Sequence, residues 1–405
     1  GKYLKVPASI EAFRLDQAIA SKENVNLEIL AWIENGRANI QWKTGKQQII
    51  AELLGLQVAV LQEVSTNDDA IPLFEIEWKT EPLGMASAQV FHPPNRIRQE
   101  IANSSKHLRD TYEKSSERVS LVSLNALAVH YIREALTDLN PGESHDAQKT
   151  YFRHLQSIAA GQIDQSFDRD GESIETTLIR RCGKHLRLVL RGEKDPLSVL
   201  FPEGDMSLLT ALYEESYWAK WMNGVLCEAI RTGIKSVPKR PLRILEIGAG
   251  TGGTTVHVLK LLQSIGCEVE YVFTDVSHHF LAEGRRRLES FAEIKCELLD
   301  IERPPKEQGI SGDFDLVIAS NVIHATRNIS DSLSHIRELL APAGQIILLE
   351  ITDSMVWLDL VFGMTDGWWR FSDHELRPDH PLMNVDQWIG VCEQVGFSGV
   401  VPLGG

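Results

Sequence analysis

Leu242-Arg243-Ile244-Leu245-Glu246-Ile247-Gly248-Ala249-Gly250-Thr251-Gly252-Gly253-Thr254-Thr255 runs from an apolar stretch into a glycine-rich turn. A short, nearly continuous apolar run suits a strand buried on both faces. The glycines let the backbone turn tightly and approach a ligand, and a helix starts beyond them. Four similar runs follow: Glu270–Asp275, Ile294–Asp300, Phe314–Ser320 and Gln345–Glu350. Helical stretches lie between most of them. The alternation predicts an α/β fold with a doubly wound parallel sheet covered on both faces. Ligands in such sheets bind outside the carboxyl ends of the strands. Gly248, Asp275, Asp300, His324 and Glu350 all fall at those ends.

Gly248, Gly250 and Gly253 satisfy the GxGxxG spacing of dinucleotide sites. Two details favour another adenosine cofactor, S-adenosylmethionine. Glu246 stands two residues before the loop, close to where a cationic sulfonium would lie, and Gly252 completes a GxGxG form. Asp275 can accept both ribose hydroxyls, although a dehydrogenase uses an acid there too. Asp300 is placed to meet the adenine edge. Ala249, Thr251, Val276, Ile301 and Ser320 complete the candidate cofactor set. A glycine turn without a ligand is the bland alternative.

His324 follows the fourth strand and Glu350 ends the fifth, so neighbouring strands can bring them together. A histidine beside a carboxylate is a general base that the acid orients and whose cation it stabilises. The alternative is a buried structural histidine with Glu350 as a cap or ion-pair partner. His278 and His279 read as exposed. His374 and His380 read as residues of a polar surface loop.

Outward from the sheet the chain divides into three. Residues 1–80 are β-rich, with runs at Leu27–Ile33, Asn39–Trp42, Gln48–Leu53, Leu56–Leu61 and Phe74–Trp78, and a linker over Glu63–Ala70. Residues 81–235 take a helical period, seen in Leu121, Leu124, Leu127, Tyr131 and Ala135. Asn140-Pro141-Gly142 stops that helix, and Gly161–Glu175 reads as a loop. Residues 236–405 hold the sheet.

The 405 residues carry a net charge of −15. That argues against wholesale binding to nucleic acid or anionic lipid. Base-directed methyltransferases generally carry Asp/Asn-Pro-Pro-aromatic after the fourth strand, where this chain has Ser320-Asn321-Val322-Ile323. No apolar run is long enough to span a membrane. The five cysteines form no CxxC pair, so no metal site is expected and a reduced, cytoplasmic compartment is the default.

Together these stretches resemble the C-methyltransferase domains of polyketide synthases. The resemblance covers roughly residues 85–405. Ile244–Thr255, Phe273–Ser277, Phe314–Thr326, Leu348–Thr352, Gly367-Trp368-Trp369-Arg370 and Gly396–Val400 carry it. Arg191–Leu197 and Leu212-Tyr213 match the family's helical amino-terminal lid. Residues 1–80 resemble the closing strands of a hot-dog dehydratase domain without its catalytic half.

The resemblance implies a class I, Rossmann-like S-adenosylmethionine-dependent methyltransferase. Its substrate would be a β-ketoacyl thioester on the phosphopantetheine arm of an acyl carrier protein, within a chain of other synthase domains. His324 would remove the α-proton, with Glu350 holding the ring. Asn321 is a candidate donor to the enolate oxygen. Tyr213 either shapes the substrate channel or packs helices; Trp368 and Trp369 either line the channel or fill the core. Arg370 either meets a phosphate of the arm or makes a surface salt bridge. The family's closing hairpin is expected to be incomplete, with a strand near Gly396–Val401 and its partner missing. An O- or N-methyltransferase, and a non-catalytic structural domain, remain as alternatives.

Overall fold

The computed structural model describes residues 2–9, 12–15, 27–34, 37–44, 49–64, 90–102, 120–137, 139, 144–161, 172–234, 238, 240–291 and 294–403. The chain forms two units, residues 1–86 and 87–405. The run at Phe74–Trp78, most of the linker, the Asn140-Pro141-Gly142 stop and the boundaries at 80/81 and 235/236 lie outside the described residues.

The first unit is an antiparallel sheet of β1 (Lys2–Ser9), β2 (Ala12–Leu15), β3 (Leu27–Glu34), β4 (Arg37–Thr44) and β5 (Ile49–Val64). Its order is β1-β5-β4-β3, with β2 also on β5. Glu34 pairs with Arg37. The dipeptide between them, Asn35-Gly36, lies outside the described residues. The runs Gln48–Leu53 and Leu56–Leu61 are one strand, not two. Its first half pairs with β4 and β2 and its second with β1, so each half has ladder partners and Gly55 marks the changeover rather than a turn.

The second unit begins with a bridge between Phe91 and Ile234 and a helical stretch over 94–102. Among the described residues six α-helices follow: α1 (Leu121–Leu136), α2 (Lys149–Ala160), α3 (Ile174–Leu190), α4 (Pro196–Leu200), α5 (Ser207–Glu214) and α6 (Tyr217–Gly233). The polar stretch read as a loop to Glu175 ends sooner, because Ser173 and Thr176 form a capping box that starts α3.

The sheet is all parallel, in the order β10-β9-β6-β7-β8. Its strands are β6 (Leu242–Ile247), β7 (Val269–Asp275), β8 (Ile294–Leu298), β9 (Phe314–Ser320) and β10 (Leu340–Leu349). Between and after them run α7 (Gly253–Ser264), α8 (His278–Arg287), α9 (Ile329–Leu339), α10 (Val356–Phe362) and α11 (Val385–Val395).

Alternate residues feed two core layers. Leu242, Ile244, Tyr271, Phe273, Leu316 and Ile318 join one. Leu245, Ile247, Val272, Val317 and Ala319 join the other. This period of two, apolar on both faces, explains the unbroken apolar runs. The chain winds outward from β6 through β7 to β8, then returns across β6 to β9. That reversal opens a crevice between the carboxyl ends of β6 and β9.

Two departures matter. Helix α10, beyond the sheet in sequence, packs with α1–α3: Trp357, Leu358, Leu360 and Val361 share one core with Leu124, Ile132, Leu155 and Leu186. The expected strand near Gly396–Val401 does not form. Gly396 ends α11 in the left-handed region, Phe397 N closes back on the Cys392 carbonyl, and residues 397–403 join no ladder among the described residues. Phe397 and Val400 pack onto the core instead.

Candidate active site

The glycine loop is left-handed at three places: φ is 59° at Gly248, 54° at Gly250 and 75° at Gly252. A Cβ at Gly248 would come within 2.5 Å of the Val322 side chain, so the loops after β6 and β9 touch only because this residue is glycine. A Cβ at Gly250 would meet only the Gly248 carbonyl, at 3.8 Å, leaving open space above the loop.

Asp275 fastens the loop from the end of β7. Its Oδ2 accepts from Gly250 N at 3.0 Å and its Oδ1 from Ser277 N at 2.8 Å. Burial pushes this carboxyl up against the pull of those amides. Ala249 N donates to the Thr274 carbonyl, and the Thr251 carbonyl accepts from Arg287, which also pairs with Glu214 of α5.

Glu246 lies beneath the loop, 1% exposed. Its Oε2 accepts from the Thr255 hydroxyl and the Tyr271 phenol, both at 2.6 Å. Burial pushes its carboxyl up to about 7, although these hydroxyls pull the other way. The residue thus ties β6 to α7 and β7 as well as placing a carboxyl under the crevice.

Tyr213 reaches the same place from the lid. Its carbonyl accepts from Asn223 Nδ2 at 3.2 Å, and Thr254 Oγ1 reaches Asn223 Oδ1 at 3.0 Å and Ser320 Oγ at 3.3 Å. A Cβ at Gly253 would stand 3.0 Å from the Tyr213 carbonyl, so glycine lets the lid sit on α7. Burial pushes the Tyr213 hydroxyl up to about 12, which keeps it a neutral donor.

Asp300 accepts from Glu302 N at 3.0 Å and exchanges backbone bonds with Gln308. Its neighbour Ile301 is packed in the core, while Val276 is exposed.

At the other end of the crevice, His324 Nδ1 meets Glu350 Oε2 at 2.6 Å. The side chains are buried, 6% and 3% exposed. Glu350 Oε1 accepts from Val322 N at 3.2 Å and Ile323 N at 2.8 Å, so the carboxylate caps the 3₁₀ turn Ile323–Ala325 and aims the ring. With Nδ1 facing a carboxylate, the lone pair falls to Nε2. Asn321 adopts φ 54°, donates its N–H to the Leu349 carbonyl at 2.7 Å, and has a buried Oδ1 with no partner among the described residues.

An aromatic row joins the lid to this base. The Tyr213 ring lies 6.5 Å from Phe362, Phe362 stacks at 6.0 Å on Trp368, and Trp368 stands edge-on to His324 at 5.4 Å. Trp369 turns away, donating to the Gly363 carbonyl at 2.7 Å. Arg370 pairs with Glu302, which is the salt-bridge reading of that residue.

Two groups escaped the sequence reading. Asp359 of α10, 1% exposed, accepts from His154 of α2 at 3.0 Å and from His380 at 2.9 Å. His380 is therefore not a surface-loop residue; the buried carboxylate draws it inward. Leu382 N donates to His380 Nδ1 at 3.2 Å, so the ring proton sits on Nε2 and points at Asp359. That tautomer leaves no Nε2 lone pair for a metal ion. The second is Arg377, 1% exposed, which binds the backbone of the His324 turn. Its only sequence signal is the four-residue spacing from Asp373.

A parallel sheet with a left-handed glycine loop at its switch point, an acid ending the next strand and a helical lid places the chain in the Rossmann-like class that binds adenosine cofactors. Comparison narrows the class. A family profile described as a methyltransferase domain matches residues 245–346. The solved CurJ carbon methyltransferase is 34% identical with a TM-score of 0.67, over 76% of this chain and 93% of that one. The trans-methyltransferase CalH, solved in complex with SAH, is 26% identical with a TM-score of 0.58, over 77% and 88% of the two chains. The non-reducing polyketide synthase ausA of Penicillium brasilianum is 38% identical over 236 residues, 58% of this chain. The chain spans only 9% of that synthase's length. The chain belongs to the carbon methyltransferase domains of polyketide synthases, and is an S-adenosylmethionine-dependent C-methyltransferase.

Proposed function

We propose that this domain methylates the α-carbon of a β-ketoacyl thioester held on the phosphopantetheine arm of an acyl carrier protein, with His324 as general base. One observation carries the reading: the buried His324–Glu350 contact of 2.6 Å at the carboxyl ends of β9 and β10, beside the glycine loop.

The crevice residues fit S-adenosylmethionine. Open space lies above Gly250, Asp275 offers acceptor lone pairs to a ribose, and Glu246 keeps a carboxyl beneath the loop. Gly248, Ala249, Gly250, Thr251 and Gly252 would cradle it, with Asp275, Val276, Asp300, Ile301 and Ser320 around the nucleoside. When bound, it supplies an electrophilic methyl group.

The α-carbon between two carbonyls is acidic enough to be deprotonated without a metal. His324 Nε2 takes that proton, and Glu350 orients the ring and stabilises the imidazolium. Asn321 and the neutral Tyr213 hydroxyl are the candidate donors to the enolate oxygen. Trp368 and Phe362 shield the site from water.

An intact-mass assay tests this. Protein, S-adenosylmethionine and acetoacetyl-loaded carrier protein should give one added methylene on the acyl chain, at the α-carbon by fragmentation, and His324→Ala should slow it about 10²–10⁴-fold, leaving a residual rate. A methyl found on oxygen or nitrogen would replace the reading, and unchanged activity of the variant would remove His324 as base.

A further inference from the structure

The turn that carries the base leaves backbone acceptors unused. The 3₁₀ bonds of Ile323–Ala325 end at Thr326, so among the described residues the carbonyls of His324 and Thr326 have no partner in a helix or ladder. Arg377 fills that gap. Its Nη1 donates to the His324 carbonyl at 2.6 Å, and its Nη2 to the Thr326 carbonyl at 2.8 Å and the Arg327 carbonyl at 3.2 Å. Nε donates to Asp373 Oδ1 at 2.7 Å, and Asp373 Oδ2 accepts from Ile329 N at 3.0 Å where α9 begins. The guanidinium also lies over the Phe371 ring, 5.1 Å from its centroid.

Burying a guanidinium is costly unless its donors are used. Asp373 Oδ1 neutralises this one, 2.6 Å from Nη2 as well as bonded to Nε. The other short bonds go to carbonyls of residues 324–327, and Nη1 also reaches the Pro381 carbonyl at 3.5 Å. The planar, forked geometry of arginine makes such a multi-carbonyl clamp, which a lysine cannot reproduce.

We propose that Arg377 is a positioning residue for His324, fixing the backbone of the base as Glu350 fixes its ring. This rests on His324 being the base. Held from two sides, Nε2 has one position relative to the crevice. Without Arg377, buried carbonyls lose their partners and the turn relaxes. A displacement near 1 Å at a reacting group costs on the order of a hundredfold in rate.

The test uses Arg377→Met, Arg377→Lys and Asp373→Asn in the full chain. Arg377→Met should lower kcat on acetoacetyl-carrier about a hundredfold while S-adenosylhomocysteine affinity stays within about twofold. Arg377→Lys should recover part of the rate. In a His324→Ala background, Arg377→Met should change the residual rate by less than about twofold, because the two act as one unit. Equal losses in both backgrounds, or loss of cofactor affinity in step with rate, would reduce Arg377 to a structural role and overturn the proposal. Should Arg377→Met fail to fold, Arg377→Lys and Asp373→Asn carry the same cycle. Nitrogen-15 spectra of the His324 imidazole decide the point without any substrate. Shifted ring resonances in the variants support the clamp even if the wild type methylates no carrier-bound ketide, in which case the functional reading alone fails. Unchanged resonances refute the clamp.

Discussion

The two ends of the crevice are built by different means. At the β6–β7 end the structure shapes backbone: left-handed glycines, an acid clasping an amide, and a helix starting where side chains must stay small. At the β9–β10 end it fixes side chains: an imidazole gripped by a carboxylate, an indole at its edge and a buried guanidinium behind. A backbone-built site fails when an atom is added. A site built from side chains fails when one is removed. The first end therefore answers to sterics and should affect cofactor affinity and stability; the second answers to deletion and should affect turnover.

The sharpest test of that division is Gly248→Ala. The added Cβ meets Val322 at 2.5 Å at a residue with φ 59°. We expect a destabilisation of roughly 2–4 kcal/mol and at least a hundredfold loss of cofactor affinity, read by thermal melting and titration calorimetry. Val322→Ala should relieve the clash but not the strained φ, restoring part of the affinity. Wild-type affinity in Gly248→Ala would break the comparison at its first term.

The converse is Glu350→Gln. An amide keeps the shape but cannot stabilise the imidazolium, so kcat should fall on the order of 10²–10⁴-fold. Cofactor affinity should remain within about twofold, because no described loop contact involves Glu350. A parallel fall in affinity would show that the two ends are one cooperative unit.

The same division governs what could be read in advance. The sheet, the loop, Asp275 and the His324–Glu350 pair were legible because each is written in a short segment with its own period or spacing. Only the strand order was needed to bring histidine and carboxylate together. The Asp359 hub was not legible: His154 and Asp359 are 205 residues apart, and their meeting depends on α10 crossing back to the lid core. Nothing local marks a helix beyond the sheet as part of the lid. Arg377 sits in a polar stretch where arginine normally means solvent, and only the orphaned carbonyls of a turn elsewhere make a buried place for it. The runs Gln48–Leu53 and Leu56–Leu61 carry no local mark that they continue through Gly55 as one strand. Ladder partners on both sides of it override local propensity.

A smaller effect separates charge from shape at the backbone-built end. Burial pushes Glu246 up to about 7 despite the Thr255 and Tyr271 hydrogen bonds. A cationic ligand nearby favours the carboxylate, so the bound-state value lies below the free one. Binding then releases a proton. Affinity for S-adenosylmethionine should be highest above pH 7 and weaken as pH falls through about 7 toward the bound-state value. Calorimetry across that range should give a shallower pH dependence for Glu246→Gln, and for S-adenosylhomocysteine, which lacks the sulfonium charge. A pH-independent wild-type affinity would mean that Glu246 is a fastener only. By linkage within the free protein, the raised carboxyl contributes stability present below the ordinary glutamate range and lost as pH rises through about 7.

The smallest effect belongs to Arg370, which lies in the sequence stretch of the side-chain-built end but not in its machinery. Its guanidinium is 45% exposed and pairs with Glu302, which also takes Arg327. An exposed pair of this kind contributes about 0–1 kcal/mol, less at high salt. Arg370→Ala should therefore shift stability by under about 1 kcal/mol and leave kcat unchanged. The informative quantity is KM for the carrier-bound substrate. Glu302 already occupies the guanidinium, so a phosphate of the pantetheine arm would have to displace a carboxylate to reach it. An unchanged KM is the expected result. A several-fold rise in KM that fades with added salt would return Arg370 to the substrate path and extend the side-chain-built end of the crevice to the protein surface.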